Sequence, residues 1–436
     1  MKKKSNNKEM ILPILNLVKN KKYEEALNLL NDLTDKKDTQ VFSNKIKGLI
    51  YLNQKDWGKS LIYYNNIPKE KKNFEINNNI GIALFKLGRF SEASDKFKES
   101  IENKNEHIPA YENFCVTNKL LGNYEISIKF SLRALKLMPS NKKIINNLID
   151  ILNYFEPKKN DYVILNINNQ IKNLDLENNK NKFIKELEIN KILNKSEEIL
   201  RNNNLIINYP HTQIFKKNNI NLNCERHLSI FTKYEIIPKF CFNCYKVQIT
   251  VGKVLNLLKL YFYLSKLTLK ENNIRKCIVE LRNNVAGNYK GYIFCSSISE
   301  AEDIKKIITN DLNSTNIKIE KIEIKHGCTE YYEKFENYKN IKKDVTNEIY
   351  KTEWTKMEKK FDEENFILQN NKERVFDETI NLFNLPNFLI IKNWFIYAKI
   401  IGDTSYKDIC RLEPETNHLS QFEIQKINMR KKYLLN

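Results

Sequence analysis

Cys224-Glu225-Arg226-His227 and Cys241-Phe242-Asn243-Cys244 set two ligand-bearing pairs apart by a short loop, in the pattern C-x2-H-x13-C-x2-C. An x2 spacing lets both side chains of a pair reach one ion from a tight turn, and two such pairs can close a tetrahedral zinc site. Cys224, His227, Cys241 and Cys244 are therefore candidate ligands of a structural zinc, with no coordination position left open for catalysis. A second arrangement fits the same residues. Phe240 to Ile249 is apolar and aromatic; in a regular strand Cys241 and Cys244 would face opposite sides and could not share an ion. His326 and Cys328 either join the metal set or pair as base and nucleophile. No oriented third group, oxyanion donor or glycine-rich approach accompanies them, which argues against thiol catalysis. Cys277 and Cys295 are expected roughly opposite each other on two strands, as buried thiols. Cys410 has no identifiable neighbours in sequence.

The elements that would position these residues can be read in order. Tyr245 to Thr250 alternates like a strand, and Val254 to Leu267 is apolar at helical spacing. Arg275 to Arg282 and Tyr289 to Ser296 read as strands joined through Gly287. Ser299-x-x-Glu302 reads as a capping box opening a helix to about Leu312, and Ile317 to Lys325 as a last strand. That order, β-α-β-β-α-β, is the split arrangement of ferredoxin-like domains. Lys290-Gly291-Tyr292-Ile293-Phe294 on the third strand resembles the RNA recognition motif family. The resemblance implies that Tyr292 and Phe294 stack on bases from an open sheet face. It departs from the family at Ile293 and Ser297. Packing of both rings against neighbouring helices is the other expectation.

The N-terminal third carries a period of about 34 residues, the mark of stacked helix–turn–helix units. One unit contains Ile80, Gly81, Leu84, Gly88, Phe90, Ala93 and Phe97; the next has Phe114, Cys115, Gly122, Tyr124, Ser127, Ala134 and Pro139. An earlier one has Gly48, Tyr51, Trp57, Ser60 and Tyr64, and a partial first unit has Tyr23, Ala26 and Leu30. These residues resemble the tetratricopeptide repeat (TPR) family, with Ser100 and Cys115 where other small residues are usual. The resemblance implies a superhelix whose groove is lined by the first helix of each hairpin. The corresponding positions are Lys45, Leu49, Asn53, Asn78, Ile82, Lys86, Glu112, Val116 and Lys119. Glu112 and the apolar Leu49, Ile82 and Val116 depart from the family's carboxylate-clamping set, so a mixed or apolar peptide is the expected guest. Ile144, Ile145, Leu148, Ile151 and Leu152 continue as a covering helix, ended by Glu156-Pro157.

The expected organisation is a TPR domain over 7–155, a helical linker over 156–210, an α+β domain with the Cys/His cluster over 211–328, a helical extension over 329–410 and a tail over 411–436. Glu330 to Ile349 reads as a solvated helix. Trp354, Met357, Phe361, Phe366 and Leu368 mark one further apolar face, and Val375, Ile380, Leu382 and Phe383 another. Phe388 to Ile401 reads as a buried helix or partner-facing surface. The formal charge of +20 invites a nucleic-acid or anionic-membrane partner, but the lysines are scattered through a chain rich in Lys, Asn and Ile. No apolar run reaches the roughly 20 residues needed to span a bilayer. The basic N-terminus is followed by an apolar stretch broken by Pro13, Asn16 and Lys19, so export is not expected. Eight cysteines then favour reduced thiols or metal ligation in a cytoplasmic protein. No phosphate-cradling loop, zinc-protease helix or nucleophile elbow occurs. The sequence thus points to an adaptor that binds a protein segment in its repeats. An RNA-binding protein and an unrecognised C-terminal enzyme are the alternatives.

Overall fold

The computed structural model describes residues 5–33, 39–158, 162–174, 183–203, 207–216, 222–283, 285–341, 346–364, 383–409, 419 and 421–435. They form two compact units, and the chain passes from the first to the second at 148/149. The chain is mostly helical, with one antiparallel five-stranded sheet.

The first unit is a row of antiparallel helix pairs. These are α1 (Ser5–Lys19) with α2 (Tyr23–Leu33), α3 (Gln40–Asn53) with α4 (Trp57–Asn65), α5 (Phe74–Lys86) with α6 (Phe90–Asn103), and α7 (Ile108–Leu120) with α8 (Tyr124–Leu137); α9 (Lys142–Ile151) follows. The first helices of the last three pairs and α9 start at 40, 74, 108 and 142, one every 34 residues. Each pair closes because small residues let its backbones approach. A Cβ on Gly48 would lie 2.8 Å from the Tyr64 ring, and one on Gly81 only 2.5 Å from Phe97. Ser60 and Ser127 hydroxyls, both fully buried, donate across the same contacts to the Gly48 and Cys115 carbonyls at 2.9 and 2.8 Å. Ser100 also does more than fill space: its hydroxyl reaches the Phe74 carbonyl at 2.7 Å and His107 Nδ1 at 3.1 Å. The turn inside each pair needs one left-handed residue, supplied by Lys21, Lys55, Gly88 and Gly122. The two lysines take a conformation that costs roughly 1 kcal/mol outside glycine.

In the second unit, α10 (Val163–Lys172) and α11 (Glu186–Asn202) occupy the expected helical linker. Then come β1 (Gln213–Lys216), α12 (Cys224–Tyr234), β2 (Tyr245–Val251), α13 (Val254–Lys266), β3 (Arg275–Val279), β4 (Tyr289–Cys295), α14 (Ile298–Asn313) and β5 (Ile319–His326). The sheet order is β1-β3-β4-β2-β5, every described pair antiparallel. From β2 to β5 the expected β-α-β-β-α-β sequence is present, with β1 added at one edge by four residues too few to show an alternating pattern. Gly291 lets α13 lie on β4, since a Cβ there would meet Leu260 at 2.8 Å. The α14 cap sits two residues earlier than expected: Ser297 accepts from the Glu300 amide at 3.2 Å, and the Glu300 carboxylate accepts from the Ser296 amide at 2.7 Å. Cys277 lies opposite Gly291 and Cys295 opposite Tyr245, so the two cysteines, though both buried, do not face each other.

After β5 the first part of the expected solvated helix is replaced by short 3-10 turns, Thr329–Glu333 and Glu336–Lys339, that bury Tyr331 and Tyr338 completely. Next are α15 (Thr346–Ile349), α16 (Thr352–Glu364), α17 (Leu385–Ile401) and α18 (Gln421–Leu435). Asn384 caps α17, accepting from the Asn387 amide at 3.0 Å, and Gly402 ends it at φ +92°. Trp394 donates to the Thr212 carbonyl at 2.8 Å and is fully buried, so α17 is core rather than surface. The expected tail holds α18, whose Arg430 is 0% exposed. Phe366, Leu368, Val375, Ile380, Leu382 and Cys410 lie outside the described residues.

Candidate functional site

The first helices of the repeats share one face, and polar links join them in series. Lys45 on α3 pairs with Glu75 on α5 at 2.8 Å. Asn113 on α7 donates to Asn78 on α5 at 3.1 Å. Glu112 on α7 accepts from Asn141 at 2.8 Å and from Lys143 on α9 at 3.1 Å. Of the nine groove residues named from sequence, Asn78 is buried in this ladder; Lys45, Leu49, Ile82, Glu112, Val116 and Lys119 are half-buried, and Asn53 and Lys86 are exposed. Ile82, Lys86, Glu112 and Val116 converge on one recess of about 210 Å³, together with Phe85, Phe97, Asn113, Cys115, Lys143, Ile144 and Asn147. Its apolar floor and lysine-bearing rim suit an apolar side chain flanked by negative charge. Lys45, Leu49, Asn53, Asn78 and Lys119 lie outside its lining. Asn113, Lys143 and Asn147 were missed because they fall between the periodic positions or beyond the last full repeat.

The metal candidates separate into those brought together and one left out. Cys241 lies in a 3-10 turn, Lys239–Asn243, closed by the Cys244 amide donating to the Cys241 carbonyl at 3.3 Å. The segment is thus not a strand from its start, and the opposite-faces objection falls. Cys328, named with His326 as an alternative member of the set, is carried to this turn by the β5 register. The neighbouring Cys328 thiol, and then burial, push Cys241 up, whereas Cys241 pulls Cys328 down against burial. Cys244 is pushed up to about 12 by burial, then by Cys328 and Cys224; Cys224 is pushed up to about 11 by burial, then by Cys328. His227 instead stacks on Phe240, ring centroids 5.0 Å apart, and burial holds it at about 4. His326 is 1% exposed, sandwiched between Tyr245 and Tyr338, with neither ring nitrogen in a hydrogen bond of full geometry; burial lowers it to about 4. It serves as packing beside the cysteines. Among the described residues no group of three or more His, Cys, Asp or Glu side chains is placed to hold a metal ion, and the described cysteines are free thiols.

Tyr292 and Phe294 do share a sheet face, ring centroids 6.5 Å apart. Tyr292 is only 5% exposed and lies under the Lys246 ammonium at 5.1 Å, so it offers no open ring to a base. The burial comes from chain outside the motif, which is why the motif did not reveal it. A larger recess of about 310 Å³ lies elsewhere in this unit, by Asp150, Tyr209 and His211. Tyr209 donates to Asp150 at 2.7 Å, and His211 stands 3.4 Å from the same carboxylate. It does not include His326 or Cys328, so it gives the thiol-enzyme alternative no support.

No family model matches the sequence, and no curated protein matches it. Among solved structures, "MamA RS-1 ArsTM double mutant" is 15% identical with a TM-score of 0.31, over 45% of this chain and 95% of that one. "Structure of Naa15/Naa10 bound to HypK-THB" is 11% identical with a TM-score of 0.33, over 99% of this chain and 52% of that one, about half its length. These likenesses are too distant to bear on function. No described helix is long and apolar enough to cross a membrane.

Proposed function

We propose that the chain is a protein-interaction scaffold of tetratricopeptide type, holding a partner segment along α3, α5, α7 and α9. The observation that carries this is the recess where Ile82 and Val116 meet Lys86, Glu112 and Lys143. Glu112 is engaged by Asn141 and Lys143, which leaves Lys86, exposed at the rim, as the lining charge without an ion pair among the described residues. A guest with one apolar anchor and an adjacent acidic residue fits that balance. Stacked repeats suit the task because each unit contacts only its neighbours and adds to one continuous surface. In the second unit, the β2–β5 order supports a ferredoxin-like domain, a fold that does not by itself name an activity. Free thiols support a reducing, cytoplasmic setting.

The test is a random-peptide selection on the purified full chain, followed by affinity measurement of the selected peptides. Ile82→Asp and Lys86→Glu should each weaken binding at least tenfold. Ile126→Asp, on the exposed flank of α8, should leave it unchanged. Peptides that bind all three variants equally would refute the groove.

A further inference from the structure

We infer that the recess beside Asp150 in the second unit binds a small organic cation, an alkylammonium whose apolar stem lies on Ile214 and Ile390 and whose charge faces the Asp150 carboxylate. At about 310 Å³ the recess falls at the small end of the range for ligand sites. Its lining carries one carboxylate and neither lysine nor arginine, in a chain whose formal net charge is +20. Asp150 belongs to the last turn of α9, and Asn153 and Tyr154 follow it, so this wall is also the negative end of a helix dipole. Both fields favour a cation and repel an anion.

The walls are preformed. Tyr209 is 3% exposed and donates to Asp150 at 2.7 Å, and the Asn153 side-chain amide lies 3.5 Å from the same hydroxyl. Burial and the Asp150 charge push the Tyr209 phenol well above its usual range, so it stays a neutral donor and adds no second negative charge. The run from Tyr209 to Thr212 is fixed from α17. Asn393 donates to the Tyr209 and His211 carbonyls at 2.7 and 2.9 Å, and Trp394 donates to the Thr212 carbonyl at 2.8 Å. Ile214 and Ile390, both buried, supply apolar surface for a stem. Tyr154, Tyr209 and Phe215 add aromatic side chains to the lining, and ring faces attract ammonium groups. His211, Gln213 and Phe215 are exposed and mark the mouth. A metal ion is the wrong cation. Asp150 and His211 are the acidic and imidazole side chains of the lining, and among the described residues no group of three is placed to hold one.

The full chain, labelled at isoleucine δ1 methyls, is titrated with pentylamine, pentanol and pentanoate and followed by nuclear magnetic resonance. Pentylamine should move the Ile214 and Ile390 signals at concentrations at least tenfold lower than either of the other two, while Ile82, in the recess of the repeats, stays still. Asp150→Asn keeps an oxygen for the Tyr209 phenol and removes the charge. It should weaken pentylamine at least tenfold and leave pentanol unchanged. Should that variant fold poorly, the ranking of the three probes on the wild type still decides. Cadaverine and the peptide acetyl-Gly-Lys-Gly-amide separate the sources of the ammonium: tighter cadaverine assigns a free polyamine, and a tighter peptide assigns a lysine side chain. Pentanol or pentanoate binding as tightly as pentylamine, full pentylamine affinity in Asp150→Asn, or no movement of Ile214 and Ile390 at any amine concentration the fold tolerates would each overturn the site.

Discussion

Replacing Gly81 by alanine tests the packing that makes the repeats. The added Cβ would lie 2.5, 2.6 and 3.0 Å from Cε1, Cδ1 and Cζ of Phe97. Carbon atoms rest at about 3.5–4.0 Å, so the ring must retreat by about 1 Å. Phe97 is 1% exposed and has nowhere to go. Overpacking of this kind costs about 1–3 kcal/mol. The same substitution gains about 1 kcal/mol in helix propensity, so the net loss is about 0–2 kcal/mol. Gly58 provides the control. It is also helical, but the nearest atom to its added Cβ is Asp56 Oδ1 at 3.9 Å. Comparing the two variants removes most of the propensity gain and leaves the clash, about 5- to 150-fold in an opening equilibrium at tenfold per 1.4 kcal/mol. Hydrogen exchange on the full chain reads it: peptides from α5 and α6 should exchange faster in Gly81→Ala, and α4 should be unchanged or slower in Gly58→Ala. If Gly81→Ala raised protection of α5 and α6 over wild type as much as Gly58→Ala raises that of α4, the helices would have slack and the close-packed account would be wrong.

Two further outcomes concern the second unit. Burial pushes Glu280 up, but hydrogen bonds and charge from Arg282 and Lys290 overcome it and hold the carboxyl at about 2. Burial pulls Lys290 down despite Glu280 at 2.8 Å, so the pair is worth less than Glu280 alone implies, about 1–3 kcal/mol. A depressed carboxylate stabilises above its unfolded value and loses that as pH falls. Near-ultraviolet circular dichroism should therefore show wild type losing stability between about pH 4.5 and 2; a Glu280→Gln variant with an unchanged acid limb would refute the assignment. Arg430 donates to Tyr397 at 2.9 Å, to Asn288 at 2.7 Å, and to the Arg282, Val285 and Gly287 carbonyls. Arg430→Met should cost about 3–5 kcal/mol by leaving those acceptors unpaired, seen as rapid proteolysis within 421–435; cleavage at the wild-type rate would contradict the anchor.

The repeats were legible because their contacts are local. Gly48 meets Tyr64 and Gly81 meets Phe97 sixteen residues later, so packing imprints its period on the sequence, and helices begin every 34 residues as a result. The β2-to-β5 order was legible for the same reason, since alternation and capping are properties of short segments. Four of the nine groove residues could be placed in the recess by periodicity; Lys143 and Asn147 could not, because they come from α9, beyond the last full pair. Only the tertiary structure decided what depends on chain far away. It buried Tyr292, turned the expected solvated segment into the seat of Tyr331 and Tyr338, and seated α18 through Arg430. It also carried Cys328, 87 positions further along the chain, to the turn that holds Cys241, and left His227 stacked on Phe240. Spacing within a motif can show which side chains are able to share a turn. Which strand end returns to that turn is set by sheet register and buried area summed over the whole unit, and no single stretch of sequence carries that sum.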